Sequence, residues 1–298
     1  MSRLLTSVYP SVSFDLSYEN YKQFLSFTDK HAHETDALES ALPGWVLPAA
    51  HVSAIDVGAG SGRLAAVLLR LFGDLGDRFA VTLLEPAGQA AEALQVAFTD
   101  DRRVQVDARS LQDYIQESTS AAFDLVLASH VNYYFEDRSA FFEAMLELVR
   151  PGGVLCCISG AIALLDHPFY RELGQRVWGM PGVERSFGLD GYGACAEELE
   201  LIAFEQGYAF TSIRSPASLT CSAEDVQRAV NALRGLETCM ADPVCRCFGF
   251  LLRVPVDAIF RARQHVLDFI SRYEIDKIGL RIDCEDKVML LRRAPTGA

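Results

Sequence analysis

Short apolar runs alternate with longer stretches of helical spacing through the middle of the chain. Ser53 to Val57, Ala80 to Glu85, Arg103 to Asp107, Phe123 to Ser129, Val154 to Gly160 and Phe210 to Ser215 read as strands. Between them, Arg63 to Gly73, Gly88 to Phe98, Ala140 to Val149 and Ala196 to Gln206 place apolar residues at helical intervals. That alternation predicts an α/β fold, a doubly wound parallel sheet with helices on both faces. Ahead of it, residues about 15 to 43 read as helix, because Tyr18, Tyr21, Phe24, Leu25 and Thr28 recur near i, i+3, i+4, i+7; Leu42-Pro43-Gly44 is the expected stop. Behind it, Ser222 to Tyr273 is helix-rich, opened by Ser222 as an N-cap before acidic first-turn residues. Strand-like Lys287 to Arg292 then returns the chain to the sheet, and Asp137 is placed to cap the helix that begins near Ser139. The expected organisation is an N-terminal helical region (1–50), a sheet domain (51–221 and 276–298) and a helical insertion (222–275).

At 298 residues, 50% hydrophobic and 22% charged, the chain can bury a substantial core, and disorder is not expected. Its 27 basic residues against 40 acidic ones give a formal net charge of −13, which makes phosphate-backbone binding uphill, so no nucleic-acid partner is expected. The N-terminus lacks the apolar core and cleavage site of a signal peptide. No apolar run reaches the roughly 18–20 residues of a membrane helix; the best, Leu64 to Phe72, is broken by Arg70. These features predict a soluble, cytoplasmic protein with no membrane partner, and they leave the oligomeric state open, a monomer included. The eight cysteines lack C-x-x-C spacing, so reduced and mostly buried thiols are expected. No cluster with metal-ligand spacing and no Ser-His-Asp arrangement stands out, and no metal is expected.

The informative segment is Ala54-Ile-Asp56-Val-Gly58-Ala-Gly60-Ser-Gly62-Arg63, at the turn from the first strand into the first following helix. Glycines there let main chain approach a ligand without Cβ interference. A P-loop would need Lys-Ser/Thr after the last glycine, and a dinucleotide fingerprint would place its third glycine one residue later. Asp56, ahead of the first glycine, can accept from an amine, and Glu85, closing the second strand, can accept from both hydroxyls of a ribose. Together they point to a nucleoside ligand.

This D-x-G-x-G-x-G pattern with an acid at the second strand end resembles the class I S-adenosylmethionine-dependent methyltransferases. Phe123-Asp-Leu-Val and Leu148-Val-Arg-Pro-Gly-Gly-Val-Leu extend the similarity. The resemblance implies a Rossmann-like seven-stranded sheet, S-adenosylmethionine as cofactor and S-adenosylhomocysteine as product. It places the methionine end over Gly58, Gly60 and Gly62 with Asp56, the ribose on Glu85, and the adenine near Asp107 to Leu111, with Ser110 among its contacts and Ser129 at the fourth strand end.

Within that class, Tyr21-x-x-Phe24-Leu25 with His31, and Asp124-Leu-Val-Leu-Ala-Ser-His-Val-Asn-Tyr133-Tyr134-Phe-Glu-Asp137, together with the helical insertion, are similar to the histamine N-methyltransferase-like group. The similarity implies an N-terminal lid helix and an acceptor pocket walled by Tyr21, Phe24, Tyr133 and Tyr134, with Asn132 and Asp283 as polar contacts; plain core packing is the alternative for the aromatics. Two departures matter. Lys30 stands where the family has a glutamate that recognises a cationic amine, and His130 replaces a glutamine. A lysine repels a protonated diamine, so the expected acceptor is a neutral or carboxylate-bearing small molecule rather than histamine, methylated at nitrogen; a lysine pointing into water is the alternative. His130 is the expected proton acceptor or orienting group, with His31 a second candidate. Methylation at oxygen or carbon, a nicotinamide-dependent oxidoreductase and a cofactor-binding protein without turnover are the competing readings.

Overall fold

The computed structural model describes residues 20–46, 50–117, 123–135, 137–160, 167–183 and 195–293, with the side chains of Tyr133 and Cys195 outside that set. Seven strands form one sheet: β1 (Val52–Val57), β2 (Phe79–Leu84), β3 (Val104–Asp107), β4 (Phe123–Ser129), β5 (Val149–Gly160), β6 (Ala209–Cys221) and β7 (Leu280–Arg292). Their order is β3-β2-β1-β4-β5-β7-β6. The pairs among β1 to β5 are parallel, and β7 runs antiparallel between β5 and β6. The chain winds outward from β1 to β3 and then crosses back to β4, so the crevice where ligands settle in such sheets opens beyond the carboxyl ends of β1 and β4.

Helices cover both faces, as the alternating pattern predicts. On one face α1 (Lys30–Trp45) and α2 (Arg63–Leu71) pack Leu38, Leu42, Leu64 and Leu68 against Ala54, Leu125, Ile158, Val288 and Leu290. Burial of Leu38 and Leu42 contributes about 1.5–3 kcal/mol each, which fastens α1 to the sheet. On the other face α5 (Arg138–Leu148) and α6 (Cys195–Glu205) bring Phe141, Met145, Leu199 and Ala203 onto Ile55, Val57, Val126, Met289 and Leu291. Helices α3 (Gly88–Ala97) and α4 (Leu111–Glu117) follow β2 and β3. Asp137 caps α5, its Oδ1 accepting from Ala140 N–H at 2.9 Å.

Three expectations shift. The N-terminal helix is not continuous: a helical segment at 20–25 stops, Thr28 bridges Leu219, and Asp29 accepts from Ser218 N–H and Oγ, so the chain is stitched to β6 before α1 begins. Residues 15–19 of that expected helix lie outside the described ones. Pro43-Gly44 does not end α1, which continues to Trp45; near a C-terminus a proline forfeits a single N–H bond, and Val46 closes the end by donating to Leu42 O. Finally, β6 and β7 are longer than their apolar runs. Asp286 to Arg292 pair with β5, whereas Leu280 to Glu285 pair with β6 alone, forming a two-stranded ribbon beyond the sheet.

From that ribbon hangs the helical insertion: α7 (Ala223–Ala232), α8 (Leu236–Ala241), α9 (Pro243–Leu252), α10 (Val256–Arg261), α11 (Arg263–Arg272) and a final turn, Ile275–Ile278. Ser222 and Asp225 form a reciprocal capping box at its start. It shares a core with Leu219, Cys221, Leu280 and Ile282 of the ribbon, with Phe169 and Leu173, and with Phe24. Six of the seven described cysteine thiols are buried, and Cys284 is half-buried. Among the described residues, no helix is long and apolar enough to cross a membrane.

Candidate active site

The turn after β1 is built by backbone hydrogen bonds to its neighbours. Gly58 N–H donates to Leu84 O at 2.8 Å and Gly62 N–H to Ala59 O at 2.9 Å, with Gly58, Gly60 and Gly62 at φ 70°, 55° and 74°. The three glycines do different work. A Cβ on Gly58 would lie 2.5 Å from Val131 Cγ2, and one on Gly62 would lie 2.6 Å from both Leu94 and Phe98, so these two are required by the chain's own packing. At Gly60 the nearest atom is Gly58 O at 3.9 Å. Gly60 is therefore where main chain stands open to a ligand.

Two acids flank it. Glu85 is buried and accepts from Gly60 N–H at 2.8 Å and Ala87 N–H at 2.9 Å. These two bonds hold the Glu85 carboxylate against the glycine turn. Asp56 is fully buried, and its Oδ2 has no hydrogen-bond partner among the described residues. Burial pushes its carboxyl up to about 7, with nearby Arg63 opposing and Glu85 adding to the rise. A buried acceptor without a donor is costly unless a ligand supplies one, and a ligand ammonium supplies a charged one.

Across the crevice, α1 brings a second group of charges over the ends of β4 and β7. His130, the residue after β4, sits in the left-handed region at φ 56° and donates its N–H to Ile158 O. That backbone conformation is disfavoured for a residue with a Cβ, and it holds the imidazole under α1, where Nε2 donates to Glu34 Oε1 at 2.9 Å. Glu34 is completely buried and also accepts from Arg63 at the start of α2. Burial alone would raise the Glu34 carboxyl, but the His130 hydrogen bond and the charges of Lys30, His130 and Arg63 outweigh it and hold it well below the usual range. Lys30 lies 3.1 Å from Asp286 Oδ2 and 3.4 Å from His130 Nδ1, so it does not project into water.

Other expected residues fall in varied places. His31 takes a hydrogen bond from the Tyr21 hydroxyl at 3.2 Å, and burial, reinforced by Arg63, pulls it down to about 3, which suits a structural acceptor better than a base near neutral pH. Tyr21 and Phe24 pack at tilted angles against Phe250 of α9, joining the insertion's core. Asn132 is buried and donates to Ser159 Oγ at 3.1 Å. Tyr134 packs toward the α5 face, away from α1, and the Tyr133 side chain lies outside the described residues. Asp107 is held by Arg109, whose hydrogen bonds lower its carboxyl, while Ser110 Oγ is engaged with Asp113 as the cap of α4. Ser129 ends β4 opposite Ile158. Asp283 is exposed and pairs with Arg281, because β7 begins earlier than its apolar run suggests; the acid that reaches the crevice is Asp286, one ribbon segment on.

Glu34, His130 and Asp286 also bring three ligand-type atoms within 4.8 Å of one another. A divalent ion would have to displace Lys30, since Lys30 and Arg63 already balance the two carboxylates.

The methyltransferase domain family matches residues 55–155. Three solved structures share the fold. A putative methyltransferase from Bacillus halodurans is 11% identical, over 86% of this chain and 98% of its own, with a TM-score of 0.53. The YcgJ protein of Bacillus subtilis is 12% identical, over 88% and 100%, also at 0.53. An S-adenosylmethionine-dependent methyltransferase from Thiobacillus denitrificans, solved with S-adenosylhomocysteine, is 14% identical, over 96% and 99%, at 0.52. No curated protein matches the chain. At such identities the structural likeness is one of fold. The stretch matched by the methyltransferase domain family, residues 55–155, runs from β1 into β5 and holds the glycine turn and Glu85.

Proposed function

We propose that this protein is a methyltransferase that takes its methyl group from S-adenosylmethionine and acts on a small molecule at nitrogen, with a neutral or carboxylate-bearing acceptor. The observation that carries the reading is Asp56 Oδ2 near the end of β1, buried and without a hydrogen-bond partner among the described residues, ahead of the open Gly60. Amino-acid ammonium, main-chain contact and ribose are what Asp56, Gly60 and Glu85 together can satisfy. When bound, S-adenosylmethionine supplies an electrophilic methyl group on a sulfonium and departs as S-adenosylhomocysteine.

The chain's own contribution is positioning, which accounts for much of the rate of an in-line displacement. Asp56 and Glu85 fix the two ends of the cofactor, and Val131, wedged against Gly58, sets the distance between the β1 turn and the β4 turn. If the attacking nitrogen carries a proton that must leave, His130 Nδ1 is the atom we assign to take it, once the Lys30 ammonium, 3.4 Å away, has swung aside. Its Nε2–H is held by an ionised Glu34, which stabilises the charge the ring would gain. The acidic net charge favours a small molecule over nucleic acid.

Titration calorimetry tests the cofactor: S-adenosylhomocysteine is expected to bind and NAD not to. Binding of NAD instead overturns the reading. Transfer of labelled methyl across neutral amines, amino acids, diamines and hydroxyl compounds tests the acceptor class, with label in the diamines alone being the contrary result.

A further inference from the structure

Burying Glu34 and Asp286 near one another is prohibitive unless cations are buried with them. Arg63 takes Glu34 Oε2 and His130 Nε2–H bonds Glu34 Oε1, and the remaining side of Oε1 and Asp286 Oδ2 face a common point. The Lys30 ammonium stands there, 3.1 Å from Asp286 Oδ2, 3.4 Å from His130 Nδ1 and 3.8 Å from Glu34 Oε1. Two carboxylate oxygens and an imidazole nitrogen converging on one point form a cradle for a primary ammonium, which has three donors to give. Asp286 Oδ2 is buried and has no directed hydrogen bond from any described residue. Ser215, directly across from Asp286 on β6, adds a buried hydroxyl that also has none. The cradle therefore offers more acceptors than Lys30 satisfies.

We propose that Glu34, His130 and Asp286 form a binding pocket for a primary alkylammonium, and that the wild-type chain fills it with its own Lys30. Cationic amine acceptors are then turned away by occupancy, and removing the Lys30 side chain converts the pocket into a site for a free alkylamine. The acceptor consequence rests on the methyltransferase reading; the pocket does not.

Lys30→Ala removes three carbons and the ammonium, the dimensions of propylammonium. The full chain carrying Lys30→Ala is expected to melt several degrees below wild type, and propylammonium chloride is expected to restore the loss saturably. Sodium chloride and propyltrimethylammonium, which lacks N–H donors, are expected not to. Lys30→Met, which keeps the volume and drops the charge, is expected to melt low and stay low in propylammonium. No saturable response in folded Lys30→Ala, or an equal one in Lys30→Met, overturns the proposal. Should Lys30→Ala not fold, the wild-type protein decides. Amine acylation followed by peptide mapping is expected to label Lys30 more slowly than exposed Lys277 by an order of magnitude or more, and equal labelling overturns it. These readouts need no turnover, so they stand or fall apart from S-adenosylhomocysteine binding.

Discussion

The two sides of the crevice are made in opposite ways. On the β1 side the groups come from one short stretch, Asp56 to Gly62, plus Glu85 at the end of the adjacent strand, and the prominent atom is a buried carboxylate oxygen with nothing to hold. On the β4 side Lys30, Glu34, Arg63, His130 and Asp286 converge from α1, α2, β4 and β7, and the charges already hold one another. The first side is incomplete without a ligand; the second is complete without one. Sites that await an occupant and sites that supply their own should respond differently to the same kind of substitution.

The largest expected effect is on stability at the self-filled side. Glu34→Ala leaves the half-buried Lys30 and Arg63 without their shared partner and should cost at most about 3–5 kcal/mol, read as a lowered denaturation midpoint. S-adenosylhomocysteine affinity should change less than in the next variant, and the reverse ranking would break the distinction. Asp56→Asn should leave stability nearly unchanged and weaken S-adenosylhomocysteine by about 1.5–3 kcal/mol, the worth of a charged hydrogen bond. Because the Asp56 carboxyl sits at about 7, wild-type affinity should fall as pH drops below that value and the charge is lost, and Asp56→Asn should flatten the profile. Calorimetry at several pH values checks both.

Next come the glycines. Gly58→Ala drives a methyl group into Val131 and should cost about 1–3 kcal/mol of stability by overpacking. Gly60→Asn, with a residue that tolerates positive φ, should fold normally and lose the cofactor. Equal unfolding of the two variants would mean that Gly60 is not open. Acid titration of stability gives a further contrast. His31 ordinarily titrates at 6.5 but in the fold is held down to about 3, so the unfolded chain binds the extra proton in that window. Stability should therefore decline as pH falls through it, by at most about 1.4 kcal/mol per unit, and His31→Asn should remove that component. The smallest effect belongs to Ser110→Ala, about 1 kcal/mol for a lost cap, with S-adenosylhomocysteine affinity unchanged if the hydroxyl serves α4 alone.

The same contrast explains which parts of the molecule are legible in the amino-acid sequence. The sheet and its flanking helices follow from period and punctuation, and the β1 turn is readable because Asp56 and its glycines are neighbours along the chain, with Glu85 ending the next apolar run. Glu34 gives no such sign. It sits four residues after Lys30, a spacing that ordinarily marks a solvated helix face, and its partner His130 is 96 residues away. Arg63 looks like the first residue of a helix and nothing more. Asp286 is hidden by strand length: Asp283-Cys-Glu-Asp286 is too polar to read as strand, and pairing along β6, joined by β5 at Asp286, draws it into β7 and moves the contact from Asp283 to Asp286. Lys30 and His130 stand out as departures from a family pattern, but nothing in their spacing says that they meet each other.

The overhang of β6 and β7 gives the protein a division of labour. Leu280 to Glu285 lean on β6 alone, so the helices strung between the two strands are cantilevered from the sheet margin instead of being threaded through it. Lengthening, trimming or exchanging that cantilever leaves the pairings of β1 with β2 and β4 untouched. On the function proposed above, the acceptor side can then vary at little risk to the cofactor side.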